Sequence, residues 1–184
     1  LFQSDFDRMC WASNGTLDFQ PEVEITPDLN ELAKKYDIHS HSDGEFTFYA
    51  NKKPYLRVGL EAKTMSDGEF QKLKKPLDYH VEQAHIYMKV LDLPLMWFFY
   101  YNKSNSNWTS PKAPFLIAFD QRVWDRLENR IQHANKLVVA NELPEREEGM
   151  PCRWCPYTWA CLPTSLKKRG QGSRKGPPKP GDFR

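Results

Sequence analysis

The sequence predicts an α/β domain built on a mixed β-sheet. Three features carry that expectation. Short runs rich in β-branched and aromatic residues recur through the first two-thirds of the chain. One run, residues 95–101, is apolar almost without a break and is of strand length. Two longer segments repeat apolar residues at spacings of three and four. The resulting order of strand, strand, helix, strand, strand, helix fits helices packed on a sheet better than it fits a bundle or a sandwich.

A first strand is expected around residues 22–26. Residues 45–50 alternate, with Phe46 and Phe48 on one face. The turn-forming run Asn51-Lys52-Lys53-Pro54 then leads into a strand over residues 55–62. Asp78 is placed to cap a helix that runs to about Leu91, with Val81, Ala84, Met88 and Leu91 as its buried stripe. Strands follow at residues 95–101 and 115–119. A second helix spans residues 122–140, with Val123, Leu127, Ile131, Ala134 and Val138 on its apolar face.

The chain has 184 residues, enough for one domain with a core, and 40% of them are hydrophobic, which argues against a disordered chain. No apolar run is long enough to span a bilayer, and no signal-peptide pattern opens the sequence. The expectation is a soluble intracellular protein with no membrane partner, in the host cytoplasm if the source is viral. The net charge of +2 conceals an asymmetry. Residues 167–184 carry seven Lys/Arg and one Asp, and the remaining body holds 19 basic and 23 acidic residues. A body of net charge −4 does not coat DNA by general electrostatics, so binding would need a local basic track, a metal or the tail. The expected organisation is a domain over residues 1–166 followed by a disordered basic tail over residues 167–184.

The chemistry-bearing residues begin with Glu61-Ala62-Lys63 near the end of the 55–62 strand. Alternation puts Glu61 and Lys63 on one face. A lone E-x-K is usually a surface pair at a strand end. Asp43 strengthens the case, because it lies just before the hairpin that leads into this strand, and antiparallel pairing can bring it beside Glu61. Two adjacent carboxylates repel unless a cation lies between them. Mg²⁺ or Mn²⁺ takes such oxygen ligands, and its bound water is a nucleophile for a phosphodiester. On the following helix Gln83 and Tyr87, four residues apart, share a face with His80.

Asp43, then Glu61-Ala62-Lys63, then Gln83-x-x-x-Tyr87 together resemble the core signature of the PD-(D/E)XK nucleases, in the RecB-like branch that includes the RecB nuclease domain, the CRISPR adaptation nucleases and related phage exonucleases. Tyr100-Tyr101-Asn102-Lys103 is also similar to that group, and the resemblance covers roughly residues 38–163. It implies a restriction-endonuclease-like core with a central mixed sheet flanked by helices. It implies metal binding by Asp43 and Glu61, with the Ala62 carbonyl as a further ligand. Lys63 would be the catalytic lysine, and Gln83 and Tyr87 would position the DNA strand. Lys72, Lys74, Lys75 and Lys103 are the expected local DNA-binding cations. The pattern departs from the family in two places. Ser42 stands where Pro is usual, and only 32 residues separate Cys10 from Asp43, with no pattern for the helix that usually carries a metal-binding His. His39 and His41 are near, but their spacing does not make them ligands, so the third protein ligand is left open. The short N-terminal stretch implies either a minimal nuclease or a segment skipped between residues 13 and 22.

The four cysteines fall as Cys10 alone and then Cys152-x-x-Cys155-x₅-Cys161. Four thiolates suit either Zn²⁺ or a [4Fe–4S] cluster, and spacing alone does not decide. The one-plus-three arrangement resembles the iron–sulfur staple of the CRISPR adaptation nucleases and AddB-type nuclease domains, which implies the cluster rather than zinc. The functional expectation is a Mg²⁺- or Mn²⁺-dependent deoxyribonuclease, an exonuclease on single-stranded DNA or DNA ends in recombination, repair or phage DNA metabolism. The rival from another class is a non-catalytic DNA-binding or assembly module with a structural metal.

Overall fold

In the computed structural model, residues 2–104 and 114–142 are described here. The chain divides into two compact units, Leu1–His133 and Ala134–Arg184. The described part of the second is residues 134–142, most of it the end of a helix.

Elements run in the order α1 (Phe2–Ala12), β1 (Leu17–Ile25), α2 (Glu31–Tyr36), β2 (Ser40–Ala50), β3 (Lys53–Met65), α3 (Asp67–Lys72), α4 (Asp78–Leu91), β4 (Leu95–Asn102), β5 (Phe115–Ala118) and α5 (Gln121–Ala140). The five strands form one sheet in sequence order, β1-β2-β3-β4-β5. Only the β3–β4 pair is parallel. The fold is therefore α/β with a mixed five-stranded sheet flanked by helices, as the residue pattern predicts. The parallel pair requires a crossover, and α3 and α4 supply it.

Local chemistry explains the joints. Asn51 and Lys52 both have positive φ, 51° and 62°, the backbone of a two-residue hairpin turn whose twist matches the flanking strands. Asn30 caps α2, its side-chain oxygen accepting from the Leu32 and Ala33 N–H groups at 2.8 and 3.0 Å. Its amide also donates to the Val90 carbonyl at 2.8 Å, tying α2 to α4.

Each face of the sheet has its own core. On one, Met96, Phe98 and Tyr100 of β4 pack with Ala84, Tyr87 and Met88 of α4, Phe70 of α3 and Ala33 of α2. On the other, Phe6 of α1 packs with Phe46 and Leu60, bordered by Phe19, Phe48, Trp97 and Phe99. The Phe6 ring meets Phe46 edge-on at 5.1 Å. Burying that one ring is worth about 2–3 kcal/mol, enough to dock a short helix.

Several expectations are corrected. Asp78 is not the N-cap of α4. The Leu77 carbonyl already accepts from the His80 and Val81 N–H groups at 2.9 and 3.0 Å, so the helix begins one residue earlier. Leu77 is the cap, without a side-chain hydrogen bond, and Asp78 pairs with Lys75 at 2.7 Å instead. β1 extends well beyond residues 22–26, because it pairs with β2 from Leu17 onward. A short helix, α2, lies between Cys10 and Asp43 but carries no His, so the expected lack of a His-bearing helix there is not overturned, and residues 13–22 form a turn and the first part of β1. The apolar stripe of α5 is shorter than its sequence period. Leu127 is buried and Val123 and Ile131 are half-buried, but Ala134 and Val138 are exposed. The helix is held through its first three turns, by Trp124 against Tyr36 and by Arg130 paired with Glu82. No helix among the described residues is long and apolar enough to cross a membrane.

Candidate active site

The site arises where two ladders end. β2 pairs with β3 from Ala50↔Lys53 to Gly44↔Leu60. One step further Asp43 faces Glu61, where the β2–β3 ladder has ended while β3 stays paired with β4 on its other edge. On the other side the β1–β2 ladder passes from Pro21↔Gly44 to Val23↔Ser42, skipping Glu22, at φ 50°, and Asp43. Asp43 is thus released from both neighbours, and its Oδ2 accepts the Ala62 N–H at 2.6 Å. Gly44 is needed beside it, because a Cβ there would lie 2.5 Å from the Phe19 ring. Opposed residues share a face. Asp43, Glu61 and Lys63 therefore converge on the face that α4 covers.

Glu61 is only 2% exposed. Its Oε1 pairs with the Lys63 ammonium, and its Oε2 is buried with no hydrogen-bond partner. Burial pushes the Glu61 carboxyl up to about 7, the Asp43 charge adds to the rise, and Lys63 opposes it. A buried carboxylate satisfied on one oxygen is costly in a protein that holds only this pair. A divalent cation fits the arrangement: it would meet the orphaned oxygen and remove the Asp43–Glu61 repulsion. Among the described residues no group of three His, Cys, Asp or Glu side chains comes together. The acidic donors at the site are therefore two carboxylates, and Ala62, next to Glu61 and bonded through its N–H to Asp43, is the nearest source of a backbone oxygen. His41 is exposed, and His39 is engaged with Asp37 at 3.3 Å.

The helix residues are arranged differently from a row of DNA contacts. Tyr87 is 3% exposed. Its hydroxyl accepts from Gln83 Nε2 at 2.6 Å and lies 2.8 Å from Ser40 Oγ, so it holds Gln83 and the start of β2 together. Gln83, half-buried, is the member of the pair nearer solvent. Ser40 carries no pattern of its own in the sequence, because its role depends on a partner 47 residues away. Lys72, Lys74, Lys75 and Lys103 are all exposed. Lys75 is engaged by Asp78. Asn102, fully buried, donates to Asp67 at 2.7 Å and fixes the end of β4 against α3.

His80 is buried on α4, its Nδ1 2.8 Å from the Tyr100 hydroxyl. Burial first, and the Lys63 charge second, lower its pKa from 6.5 to about 4. The unfolded chain then binds the proton more readily than the folded chain between those values. Stability is complete above about pH 6.5 and is lost as pH falls toward 4, by about 2–3 kcal/mol if burial persists throughout. Urea unfolding between pH 7 and pH 4 is expected to show a shallower loss for His80→Gln than for the natural chain. Parallel curves would contradict the assignment.

Cys10 is half-buried in the last turn of α1. Burial, then the charges of Asp18 and Asp7, raise its thiol pKa. Cys152, Cys155 and Cys161, and the tail at residues 167–184, lie outside the described residues.

No family model matches the chain, and no curated protein matches it. Among solved structures, the chain is similar to the crystal structure of SSO0001, with 15% identity and a TM-score of 0.45 over 86% of this chain and 68% of that one. A likeness at that level carries no functional argument.

Proposed function

We propose that this chain is a metal-dependent deoxyribonuclease of the PD-(D/E)XK type, acting on single-stranded DNA or DNA ends. The supporting observation is the buried, half-satisfied Glu61 carboxylate set opposite Asp43 just past the point where β2 and β3 cease to pair with each other, with Lys63 against it. A structural ion pair would leave neither an orphaned oxygen nor a second carboxylate to repel it.

In this reading Asp43 and Glu61, with the Ala62 carbonyl, hold Mg²⁺ or Mn²⁺. The ion's chemistry is to acidify a bound water and to neutralise charge on the phosphate. Asp43 does a second task, accepting from the Ala62 amide and so tying its end of β2 to β3. Lys63 is kept beside Glu61 and supplies a positive charge for the attacking water or the phosphate. Gln83, positioned by Tyr87, meets the strand. Lys72, Lys74, Lys75 and Lys103 give the acidic body a local track for phosphates. The resemblance of the one-plus-three cysteine arrangement to the iron–sulfur staple of related nucleases supports a [4Fe–4S] cluster held by Cys10, Cys152, Cys155 and Cys161, with a structural task.

Lys63→Ala is expected to slow the chemical step about a hundredfold or more while leaving DNA affinity within about threefold, the pattern of an interaction made in the transition state. Single-turnover kinetics beside equilibrium binding read the two separately. A matched fall in both would make Lys63 a phosphate contact only. The function itself is tested by incubating the chain with end-labelled single- and double-stranded DNA in Mn²⁺ and in EDTA. Cleavage is expected in Mn²⁺ alone. DNA binding without cleavage in either would point to a non-catalytic assembly module.

A further inference from the structure

Beside Lys63 lies a second feature that the metal site does not use. The end of β3, α3 and the first turn of α4 enclose a cleft of about 330 Å³. Its floor is apolar, made by Met65, Leu73 and Leu77. Its wall is aromatic: Tyr79, 64% exposed, meets the His80 ring at 4.2 Å in an edge-on arrangement. His80 is held in turn by the Tyr100 hydroxyl, so the wall is braced from behind. Only the rim is charged, with Glu69 and Lys72. Glu69 is pinned by the Ser66 hydroxyl at 2.7 Å, and that bond holds its carboxyl in the anionic form.

We propose that this cleft takes one unstacked nucleobase of a single-stranded substrate, with Tyr79 as the stacking platform. The inference rests on the nuclease reading and specifies how the substrate is held next to Lys63. The composition favours a base over a phosphate. An anionic Glu69 on the rim repels a phosphate, and an apolar floor offers it no donor. A flat neutral ring suits both, and Glu69 can accept from a base N–H. The volume is at the small end for ligand sites, suited to one ring system rather than a whole nucleotide. The exposed Lys72 and Lys74 nearby suit the flanking phosphates. An exposed tyrosine set against a fixed His80 ring beside a base-sized cleft suits the stacking by which single-stranded nucleic acid is held without sequence reading.

The test compares two strands of equal length and charge, a labelled oligothymidylate and an abasic oligonucleotide, binding to the full chain in EDTA. The natural chain should prefer the strand with bases. Tyr79→Ala should weaken oligothymidylate binding about tenfold and leave abasic binding unchanged, while Tyr79→Phe retains the preference. Equal loss on both strands, or loss on neither, would overturn the base pocket. In that event Mn²⁺-dependent cleavage by the natural chain would leave the nuclease reading standing. A natural chain that neither bound nor cut DNA would end both.

Discussion

Asp43→Ala and Glu61→Ala are each expected to lower DNA cleavage by at least about a thousandfold. A divalent ion supplies several kcal/mol of transition-state stabilisation, each ~1.4 kcal/mol is tenfold, and neither carboxylate is duplicated nearby among the described residues. Substitutions at the two positions, Asp43→Ala and the conservative Glu61→Gln, should differ in stability. Asp43→Ala leaves the Ala62 N–H without its 2.6 Å acceptor, an exposed bond whose loss water partly makes good, so the cost is about 0.5–1.5 kcal/mol. Glu61→Gln removes a buried carboxylate whose Oε2 has no partner. In EDTA it should melt no earlier than the natural chain, while losing any rise in melting temperature that Mn²⁺ confers. A Glu61→Gln chain that cut DNA at the natural rate would remove Glu61 from the site.

Cys10→Ser carries the second large effect, and it falls on stability. If Cys10 joins Cys152, Cys155 and Cys161 in one cluster, the cross-link ties the first helix to the far end of the chain. By the loop-entropy argument, framed for disulfides, closing so long a loop is worth about 4–5 kcal/mol. Cys10→Ser should purify with less iron and sulfide, lose visible absorbance and melt earlier. Cleavage per remaining folded molecule should hardly change, since Cys10 is on α1, across the sheet from the Asp43–Glu61 face. Full metal content with natural stability would make Cys10 a bystander. One metal atom per chain in place of four irons would make the centre zinc.

The site was more legible than its surroundings. Alternation along residues 45–50 and 55–62, with the turn between, brings Asp43 and Glu61 to neighbouring strand ends, but the two-residue hairpin alone would set Asp43 opposite Leu60; the bulge between Phe48 and Tyr49, which the sequence does not announce, shifts the register by one residue and puts Asp43 opposite Glu61. Spacing along a helix likewise placed Gln83 and Tyr87 together. What spacing did not reveal is depth. Tyr87 lies under the surface because Ser40 approaches it from β2, and that contact is 47 residues long-range. The helices α1, α2 and α3 likewise carry no readable pattern in the sequence. α2 and α3 are six residues each, too short for a period to show, and both depend on tertiary contacts or caps. Among its described side chains α1 buries one ring, Phe6, where a recognisable stripe needs three or four. The N-cap of α4 is invisible for a related reason: Leu77 caps through its backbone while its own N–H is taken by the Tyr100 hydroxyl at 3.2 Å.

The central claim is that Asp43 and Glu61 share one divalent ion, and titration with Mn²⁺ tests it most directly. Free Mn²⁺ is followed by its electron paramagnetic resonance signal as the ion is added to the natural chain, to Asp43→Asn and to Glu61→Gln. The natural chain is expected to remove one Mn²⁺ per molecule from the free pool, more weakly below pH 7, where a proton competes for Glu61. Both variants are expected to lose that site. One Mn²⁺ bound with unchanged affinity in both variants would contradict the account.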